Sequence, residues 1–249
     1  MKNLSWLTLV LILSGSTCFA QVDDIKKSSK ENSGNRSRSN SSDRGGSGSG
    51  NFDFFIDMFR VLGAWQSYVL QKKSEIPSLV GFVFMLHGAI QPSSYYVVNP
   101  RIRGTWGIFS TDFRTNYMLE ETITGNSDLL SYDWQVIQLN FINTKHVIVR
   151  AGTGFMKENY GGHQTLSESG LSTNLMFNDN RWGGFAEYRS AHDYNNGDVA
   201  RREFSLQAHR QLFASGHWHG LASGGFQFQR YYSSINVWGI QMGLVLRYY

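Results

Sequence analysis

From Ser78 to the C-terminus apolar residues recur at every second position, and this constrains the fold more tightly than any other feature of the chain. Side chains alternate across a β-strand, so a period of two sorts each strand into an apolar face and a polar one. Ten such segments are readable, at about 78–89, 94–106, 110–121, 131–142, 146–157, 168–177, 181–192, 199–213, 217–230 and 237–249. In the last, VWGIQMGLVLRYY, Trp238, Ile240, Met242, Leu244 and Leu246 share one face. Gly239, Gln241, Gly243, Val245 and Arg247 share the other. The eighth sets Phe204, Leu206 and Leu212 against Glu203, Ser205, Gln207, His209 and Gln211. The ninth sets Trp218, Ala222, Phe226 and Phe228 against His219, Ser223, Gln227 and Gln229.

The connectors near 107–109, 143–145, 178–180 and 214–216 are tight. Those at 122–130, 158–167, 193–198 and 231–236 are longer and carry Gly, Asn or Ser. Tight turns at one end, longer loops at the other and an even strand count predict an all-β fold, an antiparallel up-and-down transmembrane β-barrel of about ten strands. A soluble sandwich also alternates, but it buries its apolar face against a second sheet and gives no reason for the way this chain ends. The final residues Gln241-x-Gly243-x-x-Leu246-x-Tyr248 resemble the C-terminal signal by which outer-membrane barrels are recognised for assembly, with one residue, Tyr249, following the aromatic. The runs PRIRGTWGIFSTDFRTNY and RYYSSINVWGIQMGLVLRYY resemble small outer-membrane barrels of Bacteroidota that carry a similar tether and helix. That resemblance covers residues 53–249 and implies no activity.

The chain ahead of the barrel divides into three. Lys2, the apolar run Leu4–Leu13 and the small-residue stretch to Ala20 read as a signal peptide over residues 1–20, cleaved after Ala20. Cleavage there removes Cys18, the single cysteine, and with it any disulfide or thiolate metal site. Residues 21–51 are almost entirely Ser, Asn, Gly and charge, too poor in apolar surface to offset chain entropy, and are expected to form a disordered tether. In residues 52–77 the residues Phe55, Met58, Phe59, Leu62, Trp65 and Val69 recur at helical spacing, predicting one amphipathic helix that lies on a membrane or plugs the barrel mouth. Residues 78–249 form the barrel. Both its ends, and with them the chain's N- and C-termini, are expected on the periplasmic side of a Gram-negative outer membrane.

Composition agrees with β structure: 14% aromatic residues, and 26 glycines against 3 prolines. A net charge of +4 with no basic stripe argues against a nucleic-acid partner. With ten strands the lumen is narrow enough for side chains to fill. The inward alternation assigns Asn99, Arg101, Arg103, Asp112, Arg114, Arg150, Glu187, Arg189, Glu203, His209, His219 and Arg247 to it, as a polar lattice held by mutual pairing. Arginines outnumber acids in that set, which leaves room for a cation-rich lower lumen that takes an anion. At the outer rim His163, His192, Asp193 and Asp198 are candidates for a general base. His192 and Asp193 are adjacent, however, and so point to opposite faces. His217 and His219 have no evident third ligand for a metal. The leading expectation is a non-enzymatic barrel, without cofactor or metal, acting as a membrane-structural or surface-interaction module. Its expected partners are outer-membrane lipids, the barrel-assembly machinery and a periplasmic or surface protein. The alternatives are a barrel enzyme modifying lipid A or peptides at the rim, and a narrow anion-conducting pore.

Overall fold

The structure, a computed structural model, describes residues 21–39, 80–91, 95–122, 125–144, 146–177, 181–194 and 198–248. One helix, α1 (Gln21–Ser39), precedes ten strands. These are β1 (Val80–Gln91), β2 (Tyr95–Trp106), β3 (Phe109–Thr122), β4 (Gly125–Asn143) and β5 (Val147–Glu158). They continue as β6 (Thr165–Phe177), β7 (Trp182–His192), β8 (Val199–Ser215), β9 (Trp218–Tyr231) and β10 (Ile235–Tyr248). Each strand pairs antiparallel with its sequence neighbours, and β1 closes on β10 from Phe82↔Tyr248 to Ile90↔Ile240. Closure satisfies every strand edge.

The distribution of side chains is inverted relative to a water-soluble protein. Phe84, Leu86, Ile102, Leu171, Leu206, Ile240, Met242 and Leu244 are exposed on the outer surface, while Arg103, Asp112, Asp133, Glu168, Arg189 and Arg201 are buried inside. β10 alternates as its sequence implies, with Met242 and Leu244 outward and Gln241, Val245 and Arg247 inward. Aromatic rings fringe the outer face at both ends: Trp106, Trp182 and Trp218 near the chain-terminal end, Tyr96, Tyr117 and Tyr188 toward the other.

Four bulges interrupt the alternation; the one opposite Ala191 and His192 leaves Ala200 and Arg201 both buried, and each of the other three turns two consecutive apolar residues outward. β4 shifts register between Trp134 and Ile137 and again between Asn140 and Ile142, and β8 shifts between Gln211 and Phe213. At these places Val136 with Ile137, Phe141 with Ile142, and Leu212 with Phe213 are all exposed. A bulge adds one residue to one strand, so parity flips beyond it. Glycine makes room for the first bulge: a Cβ on Gly154 of β5 would stand 1.9 Å from the Trp134 carbonyl oxygen.

The structure departs from the sequence expectations at the N-terminus and at one loop. Residues 21–39 of the expected tether are helical. Val22, Ile25 and Ser29 fall on one helical face and are fully buried against the barrel. Two apolar side chains are too few to flag a helix from composition, but they suffice once a preformed apolar rim receives them. Residues 40–51, the expected signal peptide at 1–20, the expected helix at 52–77, and Tyr249 lie outside the described residues. The 122–130 loop does not form. β3 and β4 pair up to Thr122↔Gly125, because Leu129 points inward beneath α1 while Gly125 takes a φ of 139° at the turn. Val80 and Tyr248 share one end of the barrel, as an even strand count requires, but α1 sits across the opposite mouth. The described N-terminal residues therefore do not lie on the same side as the C-terminal strand end.

Candidate functional site

The lumen has three levels, beginning at the mouth farthest from Val80 and Tyr248. There α1 lies across the opening. Its first two N–H groups, of Gln21 and Val22, donate to the Glu120 carboxylate at 3.0 and 2.8 Å, an N-terminal cap supplied by β3. The Asp23 carboxylate accepts from the Ser127 hydroxyl at 2.6 Å. Farther along, Ser29 donates to Glu158 at 2.6 Å, and Glu158 also accepts from Tyr160 and Tyr232 at 3.0 and 2.6 Å. Gly162 N–H donates to Ser29 Oγ at 3.1 Å, and Gln164 Nε2 donates to the Ser29 carbonyl at 2.6 Å. Val22 and Ile25 fill an apolar ring that includes Tyr95, Val97, Met118, Leu129 and Val237.

The middle level is a charge network, and its longest members cross the whole lumen. Arg101 on β2 grips Glu187 on β7 with two bonds of 2.7 and 2.6 Å. Arg114 on β3 pairs with Glu203 on β8 through both terminal nitrogens, one of them at 2.8 Å. In the closed strand order each of these pairs joins strands on opposite sides of the barrel. Asp112 accepts from Arg101, Arg103 and Arg189, which also reaches Glu168 at 2.8 Å and Glu187 at 3.2 Å. A second cluster joins Arg114 and Arg201 to Asp133, with Gln229 donating to Glu203 at 3.0 Å. The arginines Arg101, Arg103, Arg114, Arg189 and Arg201 thus meet an equal number of carboxylates. Each carboxylate has charge-assisted donors, which is the condition for holding ions away from water.

The third level lies toward Val80 and Tyr248. Arg103, Arg150, Arg247 and His209 line one cavity with Asn143, Asn174 and Phe185. Arg247 donates to His209 Nδ1 at 3.2 Å and lies 3.7 Å from Met176 Sδ. With that lone pair engaged, the other ring nitrogen of His209 carries the proton toward Gln207 Oε1 at 3.1 Å, and Gln207 donates onward to Gln241 at 2.7 Å. Arg101 and Arg103 both stand over the Phe185 ring, at 5.6 and 5.9 Å.

Arg101, Arg103, Asp112, Arg114, Glu187, Arg189 and Glu203 come together in the middle network, whereas Arg150, His209 and Arg247 lie below it. His219 stands apart, half-buried beside the turn at Gly216. Inward counting missed Asp133, Glu168 and Arg201, although Asp133 and Arg201 share parity with Gln135 and Glu203 and were readable from it. With Asp133 and Glu168 included, the apparent surplus of arginine disappears from the middle of the lumen. Glu120 and Glu158 gave no sequence signal, because their role exists only once α1 is seated. Of the assembly-signal residues, Gln241 is buried in the lumen, Gly243 packs against His87, Leu246 points outward, and the Tyr248 ring lies 5.0 Å from that of Trp218. At the rim, Asp193 is buried and His192 is partly exposed. Among the described residues no group of three or more His, Cys, Asp or Glu side chains is placed to hold a metal.

No family model matches the chain, and no curated protein matches it in sequence. Among solved structures it is similar to the beta domain of the Bordetella autotransporter Brka, at 12% identity and a TM-score of 0.32, over 68% of this chain and 98% of that one.

Proposed function

We propose that the protein is an outer-membrane β-barrel whose lumen is plugged, serving as a membrane-structural and surface-interaction module and not as a wide pore. The observation that carries this reading is the inverted surface, an apolar outer face fringed by aromatic rings around a charged, buried interior. That arrangement is stable where the outer solvent is hydrocarbon and costly where it is water. Strands of 11 to 19 residues meet or exceed the roughly 9–11 that a tilted strand needs to cross a bilayer. Partners on this reading are membrane lipids around the barrel and the assembly machinery at β10. With the end bearing Tyr248 in the periplasm, α1 covers the outer mouth. It then presents Asp23, Asp24, Lys27, Lys30 and Glu31 to a surface protein partner.

The plug reading is supported by the ion pairs Arg101–Glu187 and Arg114–Glu203, which cross the lumen beneath α1. In an outer-membrane fraction the protein should migrate faster on a gel unheated than boiled, as folded barrels do. The purified protein should show no steady conductance in a planar bilayer. Recovery in the soluble fraction with no heat-dependent shift would overturn the membrane reading, and sustained anion-selective conductance would favour the narrow pore instead.

A further inference from the structure

The cavity below the charge network has the makings of a ligand site. Arg150, Arg247 and the free edge of Arg103, whose Nε is paired with Asp112 in the network above, line it, and no carboxylate is among its described lining residues. His209 is engaged through Nδ1 as an acceptor for Arg247. Asn143 and Asn174 place amides on the same wall, and Phe185, Met85 and Met176 make the remainder apolar, which strengthens any charge interaction inside. Arg103 is 1% exposed, and its Nη2 has no hydrogen-bond acceptor, standing 3.8 Å from Glu187 in an ion pair only. A buried donor without an acceptor is costly unless something completes it. The cavity volume is about 40 Å³, on the scale of a small ionic group.

We propose that this cavity is a binding site for a small oxyanion, with a phosphate group as its chemical class. The guanidinium groups would supply charge and paired N–H donors, and the two asparagines would fix orientation. The site is built from lumen geometry alone, whichever compartment its mouth faces. A free phosphate ion and the phosphate of a lipid headgroup offer the same chemistry.

Titrating inorganic phosphate into the detergent-purified full chain, at constant ionic strength set by chloride, tests this by calorimetry. Saturable binding is expected, weakened roughly tenfold or more by Arg150→Gln and less by Arg150→Lys. Asn174→Ala, which removes no charge, should weaken binding to a smaller extent while leaving the barrel heat-modifiable. It keeps the test decisive should Arg150→Gln fail to fold. Vesicles of phosphatidylglycerol that displace the bound phosphate, where phosphatidylcholine does not, would identify a lipid source. Failure of both kinds of vesicle to displace it would identify the free ion. Phosphate binding no better than chloride, or binding unchanged in both Arg150→Gln and Asn174→Ala, would overturn the proposal.

Discussion

Loss of the Glu203 carboxylate leaves Arg114 with Asp133 alone and removes an acceptor from Gln229. Stranding one partner of a buried pair costs about 3–5 kcal/mol, because the remaining charge has no water to turn to. Glu203→Ala and Arg114→Ala should therefore each lower the unfolding midpoint substantially, and the double variant should lose less than the two losses added. The pair Arg189 and Glu203 is the informative control. They face each other across β7 and β8, but Arg189 bonds Asp112, Glu168 and Glu187 while Glu203 bonds Arg114. Their coupling should be weaker than that of Arg114 and Glu203, because charge proximity without a shared hydrogen bond links them. Denaturant unfolding of the single and double variants checks both cycles, and strong coupling between Arg189 and Glu203 would show that the two clusters act as one.

On β10, Leu244 is 61% exposed and Val245 is 2% exposed. A charge on a barrel's lipid face near mid-depth costs about 2–4 kcal/mol, so Leu244→Arg should destabilise the folded barrel in bilayers by that amount. Val245→Thr should cost less, and the reverse order would mean that the strand presents its other face to the lipid. The helix makes a separate test possible. Gly161 has a φ of 56° and lies so close to α1 that a Cβ would stand 2.7 Å from the Lys26 carbonyl oxygen. Gly161→Ala adds steric overlap to an unfavourable backbone conformation. It should loosen α1 and render residues 21–39 protease-sensitive, with the heat-modifiable barrel intact. Unchanged protection of that segment would count against α1 as a seated cover.

At the scale of the whole molecule, α1 and the C-terminal end of β10 occupy opposite ends of the barrel. If the end bearing Tyr248 faces the periplasm, the exposed Asp24 faces the exterior. A membrane-impermeant maleimide should then label Asp24→Cys on intact cells. Labelling only after the outer membrane is permeabilised would invert the orientation.

The ten strands and their inner and outer faces were determined by the sequence itself. Alternation is local, and each side chain has only to match the medium on its own side of the sheet. Even three of the four bulges left a readable mark, in the doubled apolar pairs Val136-Ile137, Phe141-Ile142 and Leu212-Phe213. Pairing across the lumen was decided only by the tertiary structure. Whether Arg189 meets Glu203 or Asp112 depends on how the strands stagger as the sheet closes and on which long side chains reach across the diameter. The same holds for α1: Val22, Ile25 and Ser29 amount to a helix face only because the rim of the barrel supplies Glu120, Glu158 and an apolar ring to receive them.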